Sequence, residues 1–225
     1  MLIEMNKLSK SYGEGAQCVW GAREVDLTIH EADFIALVGP SGSGKTTVLN
    51  LLAGLIFPTS GTILHQGKEI QHLSLEERTS HRLHHMGFVF QDYQLMPVLT
   101  AQENVELPLQ MQGHTQKVID ERAAWALDQV GLGTMTKRYP KQLSGGQQQR
   151  VAIARAIAAR PTLILADEPT ANLDSKTAQD IIDLFKRLNQ EFKLTFIFST
   201  HDQRLIDQVK RVLRIKDGQL FEEKA

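Results

Sequence analysis

The sequence predicts an α/β protein with a mostly parallel sheet, an antiparallel β side sheet near the N-terminus and an inserted helical subdomain. Three short apolar runs have the length and composition of buried strands: DFIALVG (33–39), TLILADE (162–168) and LTFIFST (194–200). Segments with helical periodicity separate them. Strands that alternate with helices favour parallel pairing through right-handed crossovers.

Two helices and a hairpin accompany these strands. The run VLNLLAGL (48–55) follows the first strand and a glycine-rich loop, and it predicts a helix. The pair Asp217–Gly218 within RVLRIKDGQLFEE (211–223) predicts a hairpin. A further helix should begin at Asp174 or Ser175, because the apolar residues beyond are spaced alternately three and four apart. These residues are Ala178, Ile181, Phe185, Leu188 and Phe192.

The middle of the chain, from about 92 to 160, has a mainly helical pattern. One helix there should end at Gly131, because glycine is common just beyond helix C-termini. The first thirty or so residues are β-rich and predict the side sheet. We therefore expect a single domain over 1–225. Its α/β core would occupy about 1–91 and 161–225, and its helical subdomain about 92–160.

The composition excludes several classes of protein. The formal net charge of the 225 residues is −1, so no nucleic-acid surface is expected. Cys18 is the single cysteine of the sequence, which excludes an intramolecular disulfide and fits a reducing compartment. The longest apolar patch, LNLLAGLIF (49–57), is too short to cross a bilayer, and the first ten residues lack the apolar centre of a signal peptide. We expect a soluble cytoplasmic chain.

The stretch GPSGSGKTT (39–47) matches the pattern G-x-x-x-x-G-K-[ST] of phosphate-binding loops. Its glycines let backbone N–H groups curl around phosphates, Lys45 can reach the β- and γ-phosphates, and the Thr46 hydroxyl can bind Mg²⁺. A chance glycine turn is the alternative, but the strand before and the helix after are the context that the motif requires. The candidate nucleotide-binding residues are Gly39, Pro40, Ser41, Gly42, Ser43, Gly44, Lys45, Thr46 and Thr47.

Polar residues end the other predicted strands, at the edge where open α/β sheets bind ligands. Asp167 can hold Mg²⁺ directly or through water, and Glu168 can activate a water for attack on the γ-phosphate. His201 could hydrogen-bond a γ-phosphate, and Gln91 could bind Mg²⁺ or contact the attacking water. Polar residues are common at strand ends. It is the phosphate loop in the same chain that favours a functional role for these residues.

The stretch LSGGQQQR (143–150) is a second phosphate-binding device. Ser144, Gly145 and Gly146 lead into an alanine-rich helix, whose first N–H groups and dipole favour an anion. The stretch lies about a hundred residues beyond the first loop, and spacing alone does not show whether the two loops meet. Tyr12, in LSKSYG (8–13), could stack on a base or could be an ordinary aromatic of the side sheet.

Three histidines, His81, His84 and His85, lie at helical spacing. A metal site would need a second ligand cluster with recognisable spacing, and the sequence offers none. A solvated helix face is therefore the favoured interpretation.

Together these motifs resemble the nucleotide-binding subunits of ATP-binding cassette (ABC) transporters, over nearly the whole chain. GPSGSGKTT resembles the Walker A motif of that family, LILADE (163–168) its Walker B motif, and LSGGQQQR its signature. NLD (172–174) resembles the D-loop, which adds Asp174 to the candidate site. Gln91, His201 and Tyr12 stand where the family has its Q-loop glutamine, its switch histidine and its adenine-stacking aromatic.

The resemblance implies an ATPase that binds ATP and Mg²⁺. In this family two cassettes pair head to tail, so Ser144, Gly145, Gly146 and Gln147 of one chain would serve the nucleotide held by the other. The implied partners are an identical or second cassette and an integral membrane permease, with no nucleic acid. The permease would dock beside Gln91 and the helical subdomain, and it would hold the chain at the cytoplasmic face of the inner membrane.

A finer resemblance is to cassettes of the lipoprotein-release and macrolide-export group and their cell-division relatives. It is carried by LMPVLTAQENVELPL (95–109), ADEPTANLDS (166–175) and FSTHDQRLID (198–207). It implies a bacterial source, and membrane partners that often do mechanical work across the envelope.

Two other functions are weighed against the transporter. A soluble cassette ATPase in cell division, or on DNA or ribosomes, is the first, but the sequence has neither a heptad run nor a second cassette. A nucleotide or small-molecule kinase is the second, and it leaves LSGGQQQR and His201 unexplained.

Overall fold

The computed structural model describes residues 1–13 and 15–224. The chain forms two compact units, a first of Met1–Arg82 with Thr195–Ala225 and a second of Leu83–Leu194. In chain order the elements are β1 (Ile3–Tyr12), β2 (Val19–Ile29), β3 (Phe34–Val38), α1 (Lys45–Leu52), β4 (Ser60–His65), β5 (Lys68–Glu69), α2 (Leu75–His85), β6 (Met86–Val89), α3 (Ala101–Met111), α4 (Gln116–Gln129), α5 (Gly145–Ala158), β7 (Leu163–Asp167), α6 (Ser175–Phe192), β8 (Thr195–Ser199), α7 (Gln203–Ile206), β9 (Arg211–Lys216) and β10 (Gln219–Lys224).

The first unit carries the predicted antiparallel side sheet, in the strand order β2-β1-β4-β5. β1 pairs with β2 from Ile3 opposite Ile29 to Tyr12 opposite Val19, and register shifts interrupt the pairing in its middle. Such bulges bend a strand and increase its twist. The β-rich N-terminal segment predicted from the sequence is confirmed.

A second set of strands in the first unit is mostly parallel. β3 pairs in parallel with β8 on one side and with β9 on the other, and β9 forms an antiparallel hairpin with β10. All five residues of β3 are buried, as its continuous apolar sequence predicts. Phe34 packs edge-on against Phe196 and Phe198, with ring centroids 5.8 and 4.9 Å away. Asp217 (φ 50°) and Gly218 (φ 77°) form the predicted hairpin turn.

The second unit combines two parallel strands, β6 and β7, with most of the helices. α3 begins with a capping box of Thr100 and Glu103. α5 is buried over most of its surface. α6 has Asp174 as its N-cap residue, and it buries one face of apolar side chains that includes Phe185 and Leu188.

The bounds of the predicted strands agree closely with the structure, whereas α1 (Lys45–Leu52) begins and ends three residues before the predicted helix 48–55. Each predicted strand is found with its ends one residue shorter, and α4 is followed by Gly131 in the left-handed conformation (φ 74°). α2 has no strong sequence signal, because Arg78 is the one residue that it buries. The division into a core and a helical subdomain at 92–160 stays a prediction, since the compact units divide the chain at other positions.

Phe185→Ala tests the packing of α6. The Phe185 side chain is fully buried, so we expect its truncation to lower the free energy of unfolding by about 3–5 kcal/mol. Urea denaturation followed by circular dichroism measures the change. Gln190→Ala, at an exposed position of the same helix, should shift the free energy by no more than about 0.5 kcal/mol. Equal effects of the two changes would contradict this packing.

Candidate nucleotide-binding site

The predicted phosphate loop joins β3 to α1 and leaves the first turn of α1 uncapped. Gly44 is the N-cap residue, in the left-handed conformation (φ 112°), and no side chain accepts a hydrogen bond there. The first N–H groups of a helix have no partner within the helix, so they are available to a ligand. Thr46, in this turn, is exposed. These donors, together with the helix dipole, favour an anion.

Glycine is required where the loop meets the neighbouring strands. A Cβ at Gly39 would overlap the carbonyl oxygen of Ile215, and a Cβ at Gly44 would overlap that of Gly21. Gly42 (φ 77°), in contrast, has nothing within 4 Å of its Cβ position. The loop is therefore packed against β2 and β9 on one side and open on the other, which leaves room for a phosphate.

The β9–β10 turn also holds the loop. The N–H of Gly218 donates to the carbonyl oxygen of Ser43 (3.1 Å), and the N–H of Arg23 donates to that of Gly218 (2.7 Å). The β9–β10 turn therefore connects the phosphate loop, at Ser43, to β2, at Arg23.

The Lys45 ammonium lies inside the curve of the loop. Its Nζ donates to the carbonyl oxygens of Gly39 (2.7 Å) and Pro40 (3.0 Å). An ammonium has three donors and a full positive charge, so phosphate oxygens are better acceptors for it than neutral carbonyls. The open loop, the uncapped helix and this cation fit the phosphate chain of a nucleotide.

Tyr12 lies at the end of the loop, beside Thr47. Its hydroxyl is 3.4 Å from Thr47 Oγ1, and about half of its side chain is exposed. A Cβ at Gly21 would lie 2.7 Å from Thr47 Oγ1 and 2.8 Å from Tyr12 Cε2. Gly21 therefore makes room for both side chains. The sequence analysis missed Gly21, since a single glycine in a strand carries little signal.

His201 follows β8 and is exposed. Ser199 of β8 is paired in parallel with Leu37 of β3, and the N–H of Thr200 donates to the carbonyl oxygen of Leu37 (3.2 Å). Because the two strands run in the same direction, His201 and the phosphate loop leave the sheet at the same edge. This is the edge where ligands bind in α/β sheets.

In the second unit, Gln91 and the two acids also share an edge. Val89 of β6 is opposite Ala166 of β7 in parallel pairing, so Gln91 follows one strand, while Asp167 ends the other and Glu168 directly follows it. Glu168 has left-handed backbone angles (φ 45°), which are unfavourable for a glutamate and are found preferentially at functional sites.

Asn172 holds Gln91 in place. Gln91 Nε2 donates to Asn172 Oδ1 (3.3 Å), while Asn172 Nδ2 donates to the carbonyl oxygen of Gln91 (3.2 Å) and to Asp92 Oδ1 (3.0 Å). The predicted D-loop and Q-loop are therefore in direct contact. Asn172 belongs to NLD, but its role is not predictable from the sequence, because amide pairing across about eighty residues leaves no local pattern.

The predicted signature begins α5 with a capping box. Ser144 Oγ accepts from the N–H of Gln147 (3.3 Å), and Gln147 Oε1 accepts from the N–H of Ser144 (2.9 Å). The N–H of Gln147 therefore has a partner within the capping box. The N–H groups of Gly145 and Gly146, in the same first turn, take no part in it. A Cβ at Gly146 would overlap the methyl group of Thr177, so this glycine permits close packing.

Asp174 caps α6 with both carboxylate oxygens. It accepts from the Thr177 hydroxyl (2.6 Å) and from the N–H groups of Lys176 (3.1 Å) and Thr177 (3.0 Å). These hydrogen bonds, with that of the Thr177 side chain the largest cause, lower the pKa of Asp174. Its predicted contact with nucleotide stays a prediction.

Gln149, on α5, supports the segment after the acids. Its Nε2 donates to the carbonyl oxygen of Pro169 (2.7 Å), and the side chain is fully buried. The sequence analysis missed this role, because the middle glutamine of QQQ looks like any polar residue of a helix start.

The histidines of α2 differ in part from the prediction. His84 is exposed as expected, but His81 is half-buried and its Nε2 lies 2.7 Å from Nδ1 of the buried His65. The solvated-face prediction is wrong for His81, because β4 brings His65 against it.

Within 1–13 and 15–224, no group of three or more His, Cys, Asp or Glu side chains is arranged to bind a metal. Across the same described residues, none of the helices is long and apolar enough to cross a membrane.

Comparison with known proteins identifies the family. Residues 22–171 match the model of the ABC transporter family. The lipoprotein-releasing system ATP-binding protein LolD of Legionella pneumophila is 44% identical over 98% of this chain and 97% of its own. The macrolide export ATP-binding/permease protein MacB of Syntrophobacter fumaroxidans is 44% identical over 96% of this chain, which spans 31% of that longer protein. A solved structure, the ATP-binding cassette MJ0796 as a dimer in a post-hydrolysis state bound to ADP and Pi, is 41% identical with a TM-score of 0.89, and the match covers 99% of this chain and 98% of that one.

The chain belongs to the ABC transporter family. It is an ATP-binding subunit of this family, an ATPase of the P-loop NTPase fold whose relatives include the lipoprotein-release and macrolide-export cassettes. The resemblance drawn from the motifs is confirmed, and the kinase alternative is wrong.

Gly21→Ala tests the packing around Tyr12 and Thr47. The added Cβ would press on both side chains, so we expect Tyr12 to move and the affinity for ATP to fall several-fold, while the unfolding midpoint changes little. Equilibrium binding of a fluorescent ATP analogue measures the affinity. Val19→Ala, on the exposed part of the same strand, should leave it unchanged. Unaltered affinity in the Gly21 variant would remove Tyr12 and Thr47 from the candidate site.

Proposed function

We propose that the chain hydrolyses Mg-ATP to ADP and phosphate, and that this reaction drives a separate membrane permease of the lipoprotein-release and macrolide-export type. The observation that carries the proposal is the uncapped N-terminus of α1 behind an open glycine loop. The chain is similar to LolD over nearly the whole length of both chains, and this supports a permease that is a separate chain.

Lys45 and the N–H groups of the first turn of α1 hold the β- and γ-phosphates. Lys45 already lies within the loop, so phosphate binding exchanges two carbonyl acceptors for charged ones. Gly39, Pro40, Ser41, Gly42, Ser43 and Gly44 form the wall of this cradle, and Tyr12 stacks on the base. Thr47 sets the end of the cradle against Tyr12.

The oxygen ligands that Mg²⁺ prefers are available on the candidate residues. Thr46 offers an exposed hydroxyl, Gln91 an amide oxygen, and Asp167 a carboxylate at the end of β7. Each is an oxygen donor of the kind that a magnesium ion bound to nucleotide phosphates takes. When bound, the ion neutralises charge that develops on the phosphoryl oxygens.

Glu168 orients and deprotonates the attacking water. Glu168 directly follows the buried strand β7, and its unfavourable backbone conformation is of the kind found preferentially at functional sites, as suits a general base. The water oxygen forms a bond to the γ-phosphorus as the bond to the β–γ bridging oxygen breaks. His201 and Gln91 hydrogen-bond the γ-phosphate end during this step.

A second cassette completes the site. Ser144, Gly145, Gly146 and Gln147 of one chain approach the γ-phosphate bound by another, and Asp174 lies beside this contact. The solved dimer of the related MJ0796 cassette supports this pairing. ATP supplies the negative charge that both surfaces bind, so it favours the closed pair, and phosphate release favours the open pair.

The proposed location follows from the proposed partner. A permease that contacts the chain beside Gln91 and the helical subdomain would hold the cassette at the cytoplasmic face of the inner membrane. The cassette would act as one nucleotide-binding domain over 1–225, with the core and subdomain moving as the pair closes.

Glu168→Gln should separate nucleotide binding from hydrolysis. Loss of the base should lower kcat by about 10²–10⁴, and loss of one negative charge should favour the closed dimer. We expect the variant to elute in Mg-ATP with twice the monomer mass by light scattering. Asp180→Asn, which removes an exposed carboxylate of α6, should retain parent turnover and elution. Near-normal turnover in Glu168→Gln would contradict its role as the base.

Disulfide crosslinking tests the approach of the signature to the phosphate loop of a partner. In a Cys18→Ser background, a Ser144→Cys chain and a Ser41→Cys chain are mixed, and ATP should increase the crosslinked dimer. Both positions are exposed in the chain described here. Lys137→Cys in place of Ser144→Cys is the matched control. A chain that carries both cysteines is tested in parallel. If ATP promotes disulfides only within that chain, the proposed pairing is wrong.

A further inference from the structure

The turn that follows Gln91 has an unfavourable backbone conformation. Two consecutive non-glycine residues are left-handed, Tyr93 (φ 59°) and Gln94 (φ 49°). Side chains with a Cβ rarely occupy this region, so surrounding contacts must hold such residues in place. Local hydrogen bonds, such as that from the N–H of Tyr93 to the carbonyl oxygen of Phe90 (3.2 Å), form only part of these contacts.

Arg155, in the last turn of α5, supplies the missing contact. Its Nη1 donates to the carbonyl oxygen of Gln94 (2.5 Å), and its Nη2 donates to that of Tyr93 (2.8 Å). The two left-handed residues turn both carbonyls toward one planar guanidinium, which matches them as a fork. Burial lowers the pKa of Arg155, because its guanidinium is partly withdrawn from water.

The same turn is held at two other points. Asn172 binds the side chain and carbonyl oxygen of Gln91. The Tyr93 hydroxyl lies 2.9 Å from the Cβ position of Gly145, so Tyr93 packs against the first residue of α5. α5 therefore contacts the turn near both of its ends, through Gly145 at its start and through Arg155 in its last turn.

We propose that Arg155 is a positioning residue for Gln91. It fixes the turn 91–94 to α5, so that the glutamine is presented at a set distance from the helix that begins at Gly145. This role rests on the proposed function, in which Gln91 acts at the γ-phosphate end. In this proposal Arg155 acts on the reaction only through the turn.

A purely structural role for Arg155 would give a different result, and the chain offers a matched control. Arg187, on α6 and outside the candidate site, is also half-buried and donates from Nη2 to the carbonyl oxygen of Gln129. Arg187→Gln removes an arginine–carbonyl contact without affecting the turn. Arg155→Gln removes both contacts to the turn, and Arg155→Lys keeps the charge but loses the fork.

The experiment measures hydrogen exchange and ATP turnover on the full chain. Exchange of the amides of residues 92–96 in the absence of nucleotide reports the turn directly. We expect Arg155→Gln to speed this exchange and to lower kcat about 10-fold to 10²-fold, with KM for ATP within about twofold of the parent, because misplacement affects the reacting end rather than binding. Arg155→Lys should be intermediate, and Arg187→Gln should change neither the exchange at 92–96 nor kcat.

Two results would overturn the proposal. Unchanged exchange at 92–96 in Arg155→Gln would show that the turn does not depend on the guanidinium. A loss of kcat equalled by Arg187→Gln, or matched by a rise in KM, would show a general structural effect. A parent chain that binds ATP but does not hydrolyse it would instead overturn the proposed function, and with it the catalytic role of the turn. The exchange data would still decide whether Arg155 holds the turn in place.

Discussion

The uncapped N-terminus of α1 is the feature on which the rest of the candidate site depends. Helix starts are normally satisfied by a side chain, and here Gly44 offers none. The free N–H groups carry roughly half a positive charge from the helix dipole, beside the full charge of Lys45. This concentration of donors in an open loop favours binding of an anion, and the surrounding strands serve to keep the loop open.

The two helix starts of the candidate site differ in a way that suits their proposed roles. α1 begins without a cap and has its own lysine, so it can bind phosphate within one chain. α5 begins with a capping box of Ser144 and Gln147, which leaves fewer free donors. A helix start of this kind is suited to contact a phosphate that another chain already holds, and to release it when hydrolysis removes the charge.

Much of the fold could be predicted, because it follows from local patterns. The five apolar residues of β3, the alternate spacing of three and four in α6 and the Asp217–Gly218 turn each depend on neighbours in sequence. The Walker A loop was recognisable for the same reason. α2 could be predicted only as a solvated helix face around its histidines, because its sequence is mostly polar and what it packs against is decided by tertiary contacts.

The supporting residues of the site could not be predicted, because their contacts are distant in sequence. Gly21 matters through the space it leaves for Tyr12 and Thr47, and Asn172 through its amide pairing with Gln91. Arg155 holds carbonyls some sixty residues away, and no spacing rule connects them. Motifs therefore predict which residues contact the nucleotide, while the structure was needed to find the residues proposed to position them.

The difference between the two helix starts can be measured directly by NMR. Backbone ¹H–¹⁵N spectra of the monomeric chain would be recorded during titration with Mg-ADP, which lacks the γ-phosphate proposed to join two cassettes. We expect large shifts for the amides of Gly42 to Thr46 and none for those of Ser144 to Gln147. Shifts confined to Ser144–Gln147, or unchanged amides in the phosphate loop at saturating nucleotide, would contradict the proposal that α1 binds phosphate within the chain and α5 binds it across the pair.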